Sequence, residues 1–225
     1  KNEKDTTRAR ANELREFLTN SEEPNKFNHQ ELKEVFDLCL SCKACASECP
    51  SNVDVSALKA EFLYQYQETN GYTFRNKLFA NNVKYNQLGS LAPALTNAML
   101  NTALAKAIMG VAPKRSVPKL ASKTLEKWNK KRNVIASAMK QSQKTVYLFN
   151  DEFTNYYDAE IGKDAVFVLE KLGYSVEVLD HKESGRSFIS KGFLKEAKAV
   201  CNENIAVFKD LITEETPLIG IEPSA

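Results

Sequence analysis

The chain has 225 residues, of which 43% are hydrophobic and 27% charged, globular proportions that exclude a disordered tail or a fibre. Lys and Arg number 31 against 29 Asp and Glu, a formal net charge of +2, which excludes wholesale nucleic-acid binding driven by charge alone. The balance hides three zones: residues 114–144 carry 10 basic and 1 acidic residue, residues 151–225 carry 8 and 15, and residues 1–113 carry 13 of each.

The sequence starts at Lys1 and stops at Ala225 just after an apolar run. Residues 1–15 are charged throughout, so no secretory signal is read and the chain is expected to be a piece of a longer one. A helix opens at Asp5-Thr-Thr-Arg, shows Leu14, Phe17 and Leu18 on one face and ends near Asn20. Asn28 with Glu31 three residues on makes a capping-box pattern. Leu32, Val35, Phe36 and Cys39 then run at helical spacing into a cysteine-rich loop that Pro50 closes. Asp54 caps a further helix, whose buried face is expected at Leu58, Phe62 and Tyr66 and whose stop is Gly71. Helices are expected to continue over 73–88 and 91–109. The second of these is the longest weakly polar run, but Pro93, Asn97, Asn101 and Lys106 interrupt it. It reads as a buried helix and not as a membrane span.

Four of the five cysteines fall within eleven residues, Cys39-Leu-Ser-Cys42-Lys-Ala-Cys45-Ala-Ser-Glu-Cys49-Pro50. Thiols this close cannot all pair as disulfides without strain, and nothing marks the chain as secreted. A thiolate–zinc structural or interaction domain is the competing reading. Zinc sites usually draw paired ligands from two separated knuckles, however, and neither His29 nor His181 lies at knuckle spacing. The run Cys-x2-Cys-x2-Cys-x3-Cys-Pro is the bacterial ferredoxin pattern for a [4Fe-4S] cluster. Soft thiolates two residues apart wrap one corner of a cubane, and the small Ser41 and Ala44 keep the loop tight. Cys39, Cys42, Cys45 and Cys49 are therefore the expected ligands. Two roles stay open for Cys49: it ligates the same cluster, or a second one whose other ligands lie before Lys1.

Residues 111–144 read as linker-like, with Pro113, Pro118 and Trp128 on a short helix over 122–131. One aromatic without a stacking series is weak ground for nucleic-acid binding, and a solvated arm over the acidic C-terminal zone is the plainer expectation. The period then changes. Strands are expected at 145–150, 175–180 and 217–222, separated by helices over 161–172 and 192–212, an alternation that argues a small parallel sheet. Ligands would bind at the loops 150–158 and 181–192, beyond the strand C-termini. No glycine-rich nucleotide loop is present. His181 beside Glu183 and Arg186 is thin ground for acid–base chemistry, so no catalytic residue is expected. Cys201 is expected on the apolar face of its helix with Ala197 and Ile205, as an inert thiol. The fold class is thus α+β: an all-helical, ferredoxin-like [4Fe-4S] region over 1–113, a basic linker or arm over 114–144, and a partial parallel α/β region over 145–225.

Several segments taken together carry a resemblance: Thr6-Thr-Arg-Ala-Arg-Ala11, the cysteine run with Pro50-Ser-Asn-Val-Asp54, Ala112-Pro-Lys-Arg-Ser-Val-Pro118, Ser184-Gly-Arg-Ser-Phe-Ile-Ser-Lys-Gly192 and Gly220-Ile-Glu-Pro-Ser224. They resemble the C-terminal iron–sulfur region of FAD-linked 2-hydroxyacid dehydrogenases of the D-2-hydroxyglutarate/D-lactate type. The layout is more distantly similar to iron–sulfur subunits of glycolate oxidase and anaerobic glycerol-3-phosphate dehydrogenase, and to heterodisulfide reductase. The resemblance implies an electron-transfer module. A flavin-containing domain, in the same chain or a partner subunit, would oxidise the hydroxyacid on FAD that this segment does not bind. A [4Fe-4S] cluster would relay single electrons to a downstream acceptor. The chain is expected to be cytoplasmic, peripheral to a membrane at most, with no transmembrane segment and no nucleic-acid partner. The α/β region resembles the cysteine-rich domains of heterodisulfide reductase, cut short. Where those carry Cys-Cys-Gly this chain has Glu183-Ser184-Gly185, so no metal is expected there. Arg186, Ser187 and Lys191 are instead expected to form a docking place for an anionic group or a partner surface.

Overall fold

The computed structural model describes residues 6–22, 25, 27–136 and 144–223. Asp5, Ser224 and residues 137–143 of the basic stretch lie outside the described residues. The backbone divides into two units: the described residues up to Ala80 together with Ser187–Ala197, and Asn81–Arg186 together with Lys198 onward.

In the first unit α1 (Thr7–Asn20), α2 (Gln30–Asp37), α3 (Ala44–Glu48), α4 (Val55–Asn70) and α5 (Phe74–Ala80) follow one another. Thr6 starts α1 by accepting the Ala9 N–H at 3.1 Å, and Leu14 and Phe17 are buried along it. The start of α2 differs from the capping-box expectation. His29, not Asn28, is the cap, its Nδ1 accepting the Leu32 N–H at 3.1 Å. The reason is packing: the same imidazole meets the Phe17 ring edge-on at 4.7 Å, a contact an asparagine could not make. Asp54 caps α4 by accepting the N–H groups of Ser56 and Ala57, and Gly71, at φ +81°, stops it.

Phe62 lies at the centre of this unit, 1% exposed. Its ring meets Phe36 at 5.4 Å, Tyr66 at 5.9 Å and Phe17 at 6.4 Å. Leu32, Leu14 and Val55 complete the cluster, and Cys45 packs against it. The expected Phe62 is buried, but Leu58 is 37% exposed while Val55, Ala60, Leu63 and Gln67 are covered instead. The helix is covered on a second side by residues 187–197, where Gln67 Nε2 donates to the Lys191 carbonyl at 2.5 Å.

The remaining elements are α6 (Asn82–Gly89), α7 (Pro93–Leu100), α8 (Ala103–Met109), α9 (Leu125–Ala136), β1 (Lys144–Leu148), α10 (Glu152–Tyr156), α11 (Ala159–Lys171), β2 (Tyr174–Glu177), α12 (Arg186–Ser190), α13 (Leu194–Phe208) and β3 (Leu218–Ile219). The two long helices expected over 73–88 and 91–109 are each split. Thr102 restarts the second as α8, its hydroxyl accepting the Ala105 N–H at 3.3 Å. Nor is that run buried: Leu91, Leu95, Met99, Leu104 and Ile108 are all more than half exposed. Among the described residues no helix is long and apolar enough to cross a membrane.

The three strands form a parallel sheet in the order β2-β1-β3, with Val146 opposite Val176 and Tyr147 opposite Leu218. The helices and this sheet bear out the α+β class. Val146, Leu148, Val166 and Val176 form the core, with Trp128 packed against it. The basic stretch therefore does more than cover a surface. Leu125 is fully buried, and Arg132 pairs with Glu170 while donating to the Val176 carbonyl at 2.9 Å; Lys127, Lys130 and Lys131 stay exposed.

The cap at Asp54 gives a direct test of how α4 starts. Its carboxyl is held below its ordinary value, first by the Ser56 hydroxyl and then by the Ala57 N–H. The stabilisation is thus present above about pH 4 and lost as pH falls through the lowered value. Asp54→Ala is expected to cost about 1 kcal/mol at neutral pH in urea unfolding, and Asp54→Asn distinctly less.

Candidate metal centre

The cysteine loop joins α2 to α4, with α3 inside it. Cys39, Cys45 and Cys49 are half-buried and Cys42 is exposed. The turn is made by residues that seldom take left-handed backbone: Ser41 at φ +56° and Lys43 at φ +60° flank Cys42, and Asn52 at φ +53° follows Cys49. Holding non-glycine residues there costs roughly 1 kcal/mol or more each, and the conformation turns backbone N–H groups towards sulfur. The Ser41 N–H donates to Cys39 Sγ at 3.4 Å. The N–H groups of Val53, then Ser51, and also Asn52 hold the Cys49 thiol below its ordinary value, against a smaller opposing effect of burial. Such donors favour thiolate, the form that binds metal.

The four thiols share one segment, but they are not drawn together into a cage. Among the described residues no three of His, Cys, Asp and Glu stand close enough to hold a metal ion. The fit to a cluster rests on the donor set and its surroundings: soft sulfurs, amide donors aimed at two of them, and a cation beside the first. Lys59 Nζ donates to the Cys39 carbonyl at 2.6 Å. Burial pushes its pKa down, while Cys39 and Asp37 act to raise it. Sequence reasoning missed Lys59, although its place in the second turn of the helix after the cysteine run could have marked it.

The residues singled out in the α/β region are each accounted for locally. Arg186 pairs with Glu222 at 3.5 Å and lies over the Phe153 ring at 5.1 Å, so its charge is already matched. Ser187 and Lys191 belong to the other unit. Ser184, at the Cys-Cys-Gly position, donates its N–H and hydroxyl to Glu152 at 2.9 and 3.0 Å. Glu152 is 2% exposed and serves to hold that loop. Cys201 lies mid-helix on α13 as expected, but it is exposed, as is its neighbour Ile205. With Phe149, Asn204, Phe208 and Gly220 it lines an open cavity of about 450 Å3 beyond the C-terminal ends of β1 and β3. His181 is a structural residue: Nε2 accepts the Asn150 N–H at 3.0 Å, Nδ1 meets the Lys182 carbonyl at 2.6 Å, and the ring stacks on Phe149 at 4.3 Å.

Comparison with known proteins places the cysteine loop in a class. Residues 1–54, which include the cysteine loop, match the 4Fe-4S dicluster domain family. The chain is similar to D-2-hydroxyglutarate dehydrogenase of Escherichia coli K12, 30% identical over an alignment of 213 positions that covers 88% of this chain and 20% of that protein. The enzyme of the same name from Haemophilus influenzae is 27% identical with the same coverage. One of the subunits of anaerobic glycerol-3-phosphate dehydrogenase from Escherichia coli K12 is 26% identical over 110 residues, 48% of this chain and 27% of that protein. No solved structure matches. These relatives bear out the resemblance read from the motifs: the chain is an iron–sulfur region related to those oxidoreductases, and it spans about a fifth of the length of the dehydrogenases it matches.

The acceptor role of His181 makes the α/β unit sensitive to acid. Burial pushes its pKa below the ordinary value, against opposing effects of the Lys182 carbonyl and the charges of Asp180 and Asp151. A folded pKa below the unfolded one means that the neutral ring stabilises the fold above about pH 6.5 and that this is lost as pH falls through the lowered value. The melting temperature should therefore fall more steeply on acidification in the wild type than in His181→Phe, which has no proton to take up. Parallel pH profiles for the two would contradict this role.

Proposed function

We propose that this chain is the electron-transfer part of a flavin-dependent 2-hydroxyacid dehydrogenase acting on D-2-hydroxyglutarate or D-lactate, and that Cys39, Cys42, Cys45 and Cys49 are its cluster ligands. The observation that carries this is the loop: a ferredoxin spacing of thiols whose backbone turns N–H groups onto sulfur. A bound [4Fe-4S] cluster supplies one-electron chemistry, the step needed after a flavin has taken two electrons from a hydroxyacid. The chain's own residues ligate, donate hydrogen bonds to sulfur, and fix Cys45 against the Phe62 cluster. The relatives' names support the substrate class, and their greater length supports a flavin-containing domain elsewhere, in the same chain or a partner subunit. The exposed apolar side chains of α7 and α8 suit burial against such further protein. A ferredoxin-like arrangement of the helical region, a downstream electron acceptor and a cytoplasmic setting, peripheral to a membrane at most, belong to the same reading.

Cys49 ligates either this cluster or a second one, and the likeness to a dicluster family supports the second role. Anaerobic reconstitution with iron and sulfide should give a brown protein with a paramagnetic signal on reduction, and Cys42→Ser should lose it. Cys49→Ser should keep that signal if Cys49 serves the second cluster. Stoichiometric zinc without sulfide would instead establish a thiolate–zinc scaffold.

A further inference from the structure

The helices α7 and α8 are turned inside out. Their polar side chains bind the backbone of their own unit. Asn97 Nδ2 donates to the Leu120 carbonyl at 3.0 Å, and Asn97 Oδ1 accepts the Leu120 N–H at 2.8 Å. Asn101 Oδ1 accepts the Val117 N–H at 3.3 Å, and the Thr96 hydroxyl donates to the Gly89 carbonyl at 3.0 Å. The segment they bind is itself tied down: Leu120 is buried, and the Ala121 N–H donates to the Tyr156 carbonyl at 2.7 Å. Gly89 allows the close approach, since a Cβ there would lie 2.9 Å from both Leu120 Cδ1 and Thr96 Cγ2.

With the polar side fixed inward, the apolar side has to face out. Leu91, Leu95, Met99, Leu104 and Ile108 are all more than half exposed, and Ala94, Ala98, Ala103 and Ala107 between them are exposed as well. The one charged residue on the two helices is Lys106, whose Nζ donates to the Pro113 carbonyl at 3.2 Å. Surface helices ordinarily turn the other way, and a continuous uncharged face marks a surface that another molecule covers. Its flank is basic. Lys114, Arg115 and Lys119 are exposed, residues 91–123 contain no acidic residue, and the Pro113 and Leu120 contacts hold this segment along α8 and α7.

We propose that the outward face of α7 and α8 is the docking surface for the flavin-containing part of the enzyme, which meets it with an apolar patch bordered by carboxylates. The inference rests on the reading of this chain as the electron-transfer part of such an enzyme. Three observations select this occupant. The alignment covers 20% of the Escherichia coli dehydrogenase, so most of that polypeptide lies outside it and is available to cover the face. A second copy of this chain would bring one basic flank against another across a two-fold axis. A lipid surface favours aromatic side chains among the leucines, and α7 and α8 carry none. Their large side chains alternate instead with alanines, a relief that fits the close packing of a protein interface.

The test is carbene photo-footprinting of the intact flavin-containing enzyme, which labels the side chains that solvent reaches, with flavin, iron and sulfide assayed in the same sample. Labelling of residues 91–109 should be several-fold lower in the wild type than in Leu104→Glu, and Leu95→Glu should show the same rise. Lys114→Glu combined with Lys119→Glu should also raise it, although neither lysine belongs to the apolar face. Leu172→Glu alters a similarly exposed leucine elsewhere and should leave it unmoved. If a leucine variant loses its fold, the lysine pair still reads the surface. Strong labelling of 91–109 in a wild type that carries flavin, iron and sulfide would overturn the docking surface alone. Protection lost on dilution to single copies would assign the face to a second copy, and protection seen only with anionic vesicles would assign it to lipid; either overturns the proposal. A natural protein without flavin would overturn the functional reading, and this occupant with it.

Discussion

Burial of the Phe62 ring is the contact on which the helical unit depends. Phe36, in the last turn of α2, and Val55, the first residue of α4, lie in the same cluster. The two helices that bracket the cysteine loop are thus joined through one aromatic side chain, and truncating such a ring costs roughly 3–5 kcal/mol. With its ends fixed, the loop is closed before any metal arrives, and Ser41, Lys43 and Asn52 can be held in backbone conformations that an open chain would leave. Cys45 packs against the same hydrophobic cluster, so the core bears directly on one of the proposed ligands.

Charge is handled differently in the two units. In the α/β unit the buried carboxylates serve structure: Asp151 caps α10, accepting from Phe153 and Thr154, and Glu152 holds Ser184. Their hydrogen bonds are satisfied, as buried acids require. Around the cysteine loop Lys59 donates to the Cys39 carbonyl, and the neighbouring backbone contributes N–H groups. Both sources of positive potential suit an anionic sulfur centre, and neither would help to bind a bare cation.

Much of this was legible from residue order because the signals are local. Helical periodicity marked α1, α2 and α4, Asp54 and Gly71 marked the ends of α4, and the spacing of four cysteines marked the class of centre. The change to strand–helix alternation marked the parallel sheet. What escaped depends on contacts between distant residues. An apolar run shows that a face exists but not that anything covers it, so residues 91–109 read as buried although their leucines are exposed. The same limit placed Cys201 in an apolar interior and left His29 unnoticed as a cap, since its selection over Asn28 needs the Phe17 ring. Lys191 reaches α4 through Gln67 over 124 positions of sequence, and no local pattern reports such a meeting.

X-ray absorption at the iron and zinc edges of the purified, anaerobically handled protein tests the central claim most directly. An iron–sulfur centre in the cysteine loop gives iron surrounded by sulfur with a second shell of neighbouring iron, and that second shell disappears when Cys39, Cys42 and Cys45 are replaced by serine. A zinc edge with a sulfur shell and no metal–metal shell would contradict it.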